Sequence, residues 1–277
     1  MTTKAQSIPK QDGGFISQNE DAIRLNKSLI GLSDGAGGTG VEAHQWAEYL
    51  LKNLSKKPIT HFAALTEWQD SIWQNYFDRI EHQLENSNSI ALEKFYTEGS
   101  SATLMAVWVE GKGKNKVAHI MSYGDSVVLL WREKTKECWT NTEDLSSFLQ
   151  SPFLLNCNEP PLEHGYFQTI SIEKGDILIL ASDTIGQFLL ASFYLLEEKE
   201  KHSASFQTIR NSPNRFSSYF QTLENYYTDR TTETWHTVLS ELKKALKSES
   251  SFKSYTEALR SFGQLGIDDY SVVLVGF

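Results

Sequence analysis

The stretch SLIGLSDGAGG, from Ser28 to Gly38, decides how the rest of the chain is read. Leu29, Ile30, Gly31 and Leu32 form a short apolar run of the kind a buried strand needs. The run ends on Asp34, and three of the next four residues are glycine. Asp-Gly is a common turn signal, so a plain turn explains the pattern. A loop that clears space around a cation explains it equally well, because glycine leaves the backbone carbonyls accessible.

Just upstream, DAIRL and SLIGLSD flank Asn26-Lys27 and predict a β-hairpin. Downstream, residues 39–56 predict a helix whose apolar face is Val41, Trp46, Tyr49, Leu50 and Leu54, with Thr39 and Glu42 as a capping box. A second, longer helical pattern runs from 60 to 86. After Gly99 the texture changes to short β-branched and aromatic runs: SATLMAVWVE, KVAHIMSYG and SVVLLWRE. These predict an antiparallel meander, continued by FQTISI and GDILILASD around a turn at Glu173-Lys174-Gly175. Residues 184–265 read as helical, with a Ser/Asn-rich stretch at 201–218 as the candidate mobile segment. The chain closes on YSVVLVGF, apolar enough for a buried strand. The expected fold is one α+β domain over residues 1–277, antiparallel sheets covered by helices, with residues 1–12 loosely held.

The chain has 277 residues, 40% hydrophobic and 22% charged, sufficient for a full core. A net charge of −9 argues against a nucleic-acid or anionic-membrane partner, both of which need a basic face. Cys138 and Cys157 match no zinc spacing, and a reducing compartment is expected. No apolar leader and no stretch of about 18 apolar residues is present, so a cytoplasmic protein is expected.

Acids recur at strand margins. Asp34 ends one strand, Asp183 ends DILILASD, Asp268 and Asp269 open the last strand, and Glu20 and Asp21 open the hairpin. If those strands are neighbours, their carboxylates converge and raise one another's pKa unless a cation lies among them. An oxygen-only donor set without His or Cys points to Mg²⁺ or Mn²⁺. Two such ions about 3.5–4 Å apart are a known device for activating water against phosphorus. From the residues alone, the turn and the metal loop both stay open.

Taken in order, these segments resemble the metal-dependent protein serine/threonine phosphatases of the 2C type. NEDA (19–22) resembles the opening acidic motif, and GLSDGAGG (31–38) resembles V-x-D-G-x-G-G. EGSSATLMAV (98–107) is similar to the G-S/T-T-A segment, and SYGDSVVLLW (122–131) to N-x-G-D-S-R. GDILILASDTIGQFL (175–189) resembles D-x-L-I-L-A-S-D-G-L-W-D, and GIDDYSVVLV (266–275) resembles D-N-x-T-V-V-V. The resemblance implies an α-β-β-α sandwich and a centre of two Mn²⁺ or Mg²⁺ ions, with an optional third, that activates water for attack on a phosphoester. By position, Asp34 would bridge two ions and Gly35 would offer its carbonyl. Asp183 and Asp268 would be ligands, Glu20 and Asp21 would act near the second ion, and Asp125 would help hold the third with Asp183. It further implies a monomer acting on phosphorylated protein.

Several positions depart from the pattern. The phosphate-binding Arg of the first motif is Ile16, the His after Asp-Gly is Ala36, the Gly after the third acid is Thr184, and the Arg after Gly-Asp-Ser is Val127. Lys10, Arg24 and Lys27 are the candidate replacements. Gln11-Asp12 is an alternative opening motif, but Glu20-Asp21 leaves a shorter hairpin to Asp34. The seven histidines are scattered without ligand spacing, and Ser100, Ser101 and Thr103 lack a nucleophile elbow. The expected activity is hydrolysis of phosphoserine or phosphothreonine. A phosphatase-like binding protein and a small-phosphoester hydrolase are the alternatives.

Overall fold

The computed structural model describes residues 1–12, 15–86, 89–142 and 144–277. The strands before the first helix are β1 (Thr2–Ile8), β2 (Gln11–Asp12), β3 (Phe15–Ile16), β4 (Ala22–Leu25), β5 (Leu29–Ser33) and β6 (Gly35–Gly40). Helices α1 (Ala43–Asn53), α2 (Phe62–Asp70), α3 (Trp73–Glu85) and α4 (Ser89–Glu98) follow. Next come β7 (Ser100–Ala102), β8 (Leu104–Glu110), β9 (Val117–Tyr123), β10 (Val127–Arg132), β11 (Glu137–Thr140), β12 (Leu155–Asn156), β13 (Tyr166–Ser171) and β14 (Asp176–Ala181). Helices α5 (Asp183–Glu197), α6 (Ser203–Arg210), α7 (Arg215–Asp229), α8 (Trp235–Ala245) and α9 (Glu249–Ser261) precede β15 (Tyr270–Gly276). The α+β class expected from the sequence holds.

The chain forms two compact units, neither of them contiguous. The first comprises Met1–Ser17, Val127–Pro152 and Gly175–Phe277. Its five-stranded sheet has the order β1-β15-β14-β10-β11, with antiparallel pairing throughout. Val127, Leu129, Ile177, Ile179, Val272 and Leu274 on one face pack with Ile185, Leu189 and Phe193 of α5. α5 is apolar nearly all round, as a helix must be when a sheet lies on one side and α7 and α8 on the other.

The second unit comprises Gln18–Ser126 and Phe153–Lys174. Its main sheet has the order β13-β9-β8-β5-β4, and β12-β7-β6 form a smaller one. Trp46, Ala47, Leu50 and Leu51 of α1 pack on Leu29, Leu104, Ala106 and Trp108 of the main sheet. The expected hairpin is present, with Ala22 opposite Ser33 and Leu25 opposite Ile30. No helix among the described residues is long and apolar enough to cross a membrane.

Five expectations are corrected. Thr2–Ile8 are not loose: β1 pairs along its whole length with β15. Its sequence is polar because an edge strand is held by backbone bonds rather than by its own burial. The meander is divided, since β8 and β9 lie in one sheet while β10 and β14 lie in the other. The breaks at 124–126 and 173–175 are therefore crossings between sheets and not hairpin turns. The helix over 60–86 is two helices, because the Ser71 hydroxyl donates to the Trp68 carbonyl at 2.6 Å and competes with the ladder. The capping box also fails. β6 runs on to Gly40, and Glu42 stands just before α1 in a left-handed conformation with φ 55° and gives the helix no side-chain cap; the Thr39 side chain lies outside the described residues. The Ser/Asn-rich stretch forms α6 and the start of α7.

Candidate functional site

In the second unit the hairpin register fixes where the acids emerge. Ala22 faces Ser33, so Asp21 and Asp34 leave their strands at the same end. Asp34 is anchored through its backbone: its N–H donates to the Thr103 hydroxyl at 3.0 Å, and its carbonyl accepts from the Thr103 N–H at 2.8 Å. The Thr103 hydroxyl also meets the Ser126 hydroxyl at 2.9 Å. Ser33 donates to the Thr103 carbonyl at 2.6 Å. Asp125 therefore stands in a turn tied to the residue that holds Asp34. Gly124 permits that turn, with φ 109° and no room for a Cβ, which would stand 2.6 Å from the Thr103 side chain.

Glu20 closes in from the strand start. The Gly35 N–H donates to the Glu20 carbonyl at 3.1 Å, and a Cβ on Gly37 would collide with the Glu20 carboxylate. The glycines of the opening stretch thus admit a second acid beside Asp34. Asp21 is buried, and its N–H donates to the Asn19 side chain at 3.1 Å. In this unit Glu20, Asp21, Asp34 and Gly35 stand at one end of the β4–β5 hairpin, and Asp125 stands in the turn tied to it through Ser126 and Thr103.

In the first unit the ends of β14 and β15 are laced together. Ser182 and Ser271 exchange two bonds, N–H to carbonyl at 2.9 Å and N–H to hydroxyl at 3.0 Å. That sets Asp183, the first residue of α5, near Asp268. An acid in the first helical turn is favoured by the positive end of the helix dipole. Thr184 connects the two acids: its N–H donates to Asp183 and its hydroxyl donates to Oδ2 of Asp268 at 3.3 Å. The Asp269 N–H donates to Oδ1 of Asp268 at 2.9 Å. Burial pushes the Asp268 carboxyl up, and the neighbouring Asp269 charge adds to this; the two hydrogen bonds and the Lys10 charge oppose it. Lys10 donates its own N–H to Asp269 at 2.6 Å. Nearby, burial pushes the Tyr270 phenol up to about 12 against the charge of Arg260.

Among the three candidate phosphate-binding cations, Lys10 lies beside acids. Arg24 is occupied otherwise: its guanidinium donates to the Leu51 carbonyl at 2.5 Å and the Lys52 carbonyl at 3.2 Å, capping the end of α1. Lys27 is exposed in the hairpin turn. The alternative opening acid, Asp12, has its side chain outside the described residues. Sequence reading missed Thr103 and Ser126 as supports of Asp34, and Thr184 as the link to Asp268. The signal for the first pair was the small-hydroxyl content of SSAT and GDS.

The candidate donors are carboxylates, joined in the second unit by the Gly35 carbonyl, a chemistry that fits Mg²⁺ or Mn²⁺. Among the described residues no three His, Cys, Asp or Glu side chains are drawn into a metal-holding cluster.

No protein-family model and no curated protein matches the chain by sequence. Solved structures do match over its full length. The catalytic domain of the serine threonine protein phosphatase PstP, in complex with two manganese ions, aligns with TM-score 0.50 at 17% identity, covering 99% of this chain and 96% of that one. PppA, a regulatory component of the type VI secretion system in Pseudomonas aeruginosa, aligns with TM-score 0.51 at 14% identity, covering 100% and 97%. A bacterial serine phosphatase gives TM-score 0.51 at 13% identity, covering 100% and 97%. The likeness is one of fold: the chain has the fold of the 2C-type serine/threonine phosphatases.

Proposed function

We propose that this chain is a metal-dependent phosphoprotein phosphatase that hydrolyses phosphoserine or phosphothreonine. The observation that carries the reading is the placing of acids at strand ends in both units of a phosphatase fold, each fixed by hydroxyl and backbone bonds. The proposed ligands of Mn²⁺ or Mg²⁺ are Asp34, the Gly35 carbonyl, Glu20 and Asp21 in the second unit and Asp183 and Asp268 in the first. Asp125, in the second unit, is the proposed ligand of a third ion. When bound, the ions supply Lewis acidity, lowering the pKa of water and neutralising phosphate charge.

The chain's own residues do the positioning. Thr103 holds the Asp34 backbone so that its carboxylate leaves the strand in one direction. Thr184 and the Asp269 N–H occupy one oxygen each of Asp268 and restrict its rotation. Ala36 has no proton to give, so in this reading the leaving oxygen takes its proton from solvent.

The test is turnover of a phosphoserine peptide and of an aryl phosphate across a Mn²⁺ titration. Metal-dependent release of phosphate from the peptide supports the reading. Activity on small phosphoesters alone would point to a metabolite hydrolase instead.

One observation favours a second reading, a phosphatase-like binding protein. Phe15 and Ile16 are 83% and 66% exposed, and Ile16 stands where the resemblance places an arginine. Solvent-facing apolar side chains suit a partner surface better than a phosphate. Mn²⁺ binding without cleavage of any phosphoester would support that reading.

A further inference from the structure

An open groove of about 540 Å³ lies in the first unit beside the loop that leads into Asp268. It is lined by Tyr219 of α7, Glu257 and Arg260 of α9, Leu265 and Ile267 of the loop, and Gln11 of β2. The groove and the candidate acids share a wall. A Cβ on Gly266 would stand 3.0 Å from the Tyr219 ring and 3.3 Å from Thr184, so the backbone there is clamped between the groove and the residue that donates to Asp268.

Arg260 is the cation of this groove. Other arginines are engaged elsewhere: Arg24 on the end of α1, Arg132 with Asp176, Arg210 with Glu224, and Arg79 over the Tyr49 and Tyr76 rings. The Arg260 side chain is half-buried, and among the described residues it makes no hydrogen bond or ion pair. A guanidinium held in a groove with its planar fork unused is suited to a carboxylate, which it can meet with two parallel bonds. Tyr219 and the exposed Ile267 offer apolar surface next to it. Glu257, three residues before Arg260 on the same helix, disfavours a second acid, so the groove discriminates by where the charge stands.

We propose that this groove receives the segment of a phosphopeptide flanking its phosphorylated residue, and that Arg260 selects segments with an acidic side chain there. The substrate class rests on the phosphatase reading above. A binding measurement lets the two fail separately.

The experiment uses fluorescent peptides carrying a phosphonate analogue of phosphoserine, which resists hydrolysis, with acidic, neutral or basic flanks. Anisotropy is measured in Mn²⁺ on the wild-type chain, Arg260→Gln and Arg260→Glu, with thermal melting to confirm that each variant is folded. Wild-type protein should bind the acidic-flanked peptide about tenfold more tightly than the neutral one, the size of a well-formed charge pair. Arg260→Gln should abolish that preference, and Arg260→Glu should turn it toward the basic flank. A second arm that leaves Arg260 in place is Ile267→Asp, which sets a negative charge in the groove and should weaken the acidic-flanked peptide more than the basic-flanked one. An acidic preference that survives in folded Arg260 variants, or no flank preference in the wild type, overturns the proposal. An Arg260-dependent preference beside no phosphate release from the matching phosphoserine peptides would remove the phosphatase reading and leave the groove; phosphate release without the preference would do the reverse.

Discussion

The hydroxyl of Thr184 donates to Oδ2 of Asp268 at 3.3 Å, while the Asp269 N–H holds the other oxygen at 2.9 Å. Thr184 stands where the resemblance leads one to expect glycine, yet it is tied to an acid of the proposed metal set. Hydrogen bonds of this kind orient a ligand, and their loss typically costs 10–100-fold in metal affinity. Thr184→Val keeps the shape and removes the donor. It should weaken Mn²⁺ binding by about tenfold, at a stability cost of about 1 kcal/mol. Calorimetric Mn²⁺ titration checks this, and unchanged affinity would count against the orienting role.

Gly35 and Gly37 should separate folding from ion binding. A Cβ on Gly35 would lie 2.7 Å from the Glu20 carbonyl oxygen and 2.9 Å from the Ala43 carbonyl carbon, both backbone atoms. Gly35→Ala is expected to cost roughly 1–3 kcal/mol of stability, because backbone must move. At Gly37 the obstacle is the Glu20 carboxylate, the end of a flexible side chain. Gly37→Ala should therefore fold with near-normal stability and bind Mn²⁺ less well. Urea unfolding and Mn²⁺ titration on the pair test the contrast.

Arg210 and Glu224 join α6 to α7 by a two-pronged bond, with Nε to Oε2 at 2.8 Å and Nη2 to Oε1 at 2.5 Å. The Arg210 hydrogen bonds hold the Glu224 carboxyl below its usual range. A carboxyl depressed in the folded state stabilises above its unfolded pKa, about 4.3, and loses that contribution as pH falls through the folded value. Arg210 is 40% exposed, so solvent screening keeps the effect at or below about 1 kcal/mol. Glu224→Gln should lower the melting temperature at pH 7, and the loss should shrink as pH falls below the unfolded pKa of about 4.3. An equal loss above and below that pKa would contradict the assignment.

Removing residues 1–8 should destabilise the first unit strongly. β1 covers β15 from Thr2 opposite Gly276 to Ile8 opposite Tyr270, and Ser271 donates to the Ser7 hydroxyl at 2.7 Å. At about 1 kcal/mol net per lost bond, several kcal/mol are at stake. A marked fall in the urea midpoint is expected; an unchanged midpoint would mean that β15 keeps its place without its edge partner.

Much of this was legible in the sequence, for local reasons. The hairpin around Asn26-Lys27 could be read because both strands and their turn lie within a few residues. Asp183 and Asp268 could be read because apolar runs mark strand ends. The division of the meander could not: strand patterning gives alternation and burial but not the partner, and β9 and β10 look continuous while belonging to different sheets. β1 was hidden because Thr, Lys and Gln at an edge carry no apolar signal. Arg260 was hidden for a related reason, being one basic residue on a polar helix until α7, α9 and the loop before Asp268 enclose it.

The most direct test of the proposed centre is Asp34→Ala, followed by Mn²⁺ calorimetry and by phosphate release from a phosphoserine peptide on the same preparation. The bonds that tie Asp34 to Thr103 are made by its backbone and survive the substitution, so the variant should fold. Loss of turnover together with weakened Mn²⁺ binding and an unchanged melting temperature is the expected result. A folded variant that binds Mn²⁺ and releases phosphate at the wild-type rate would contradict the proposed centre.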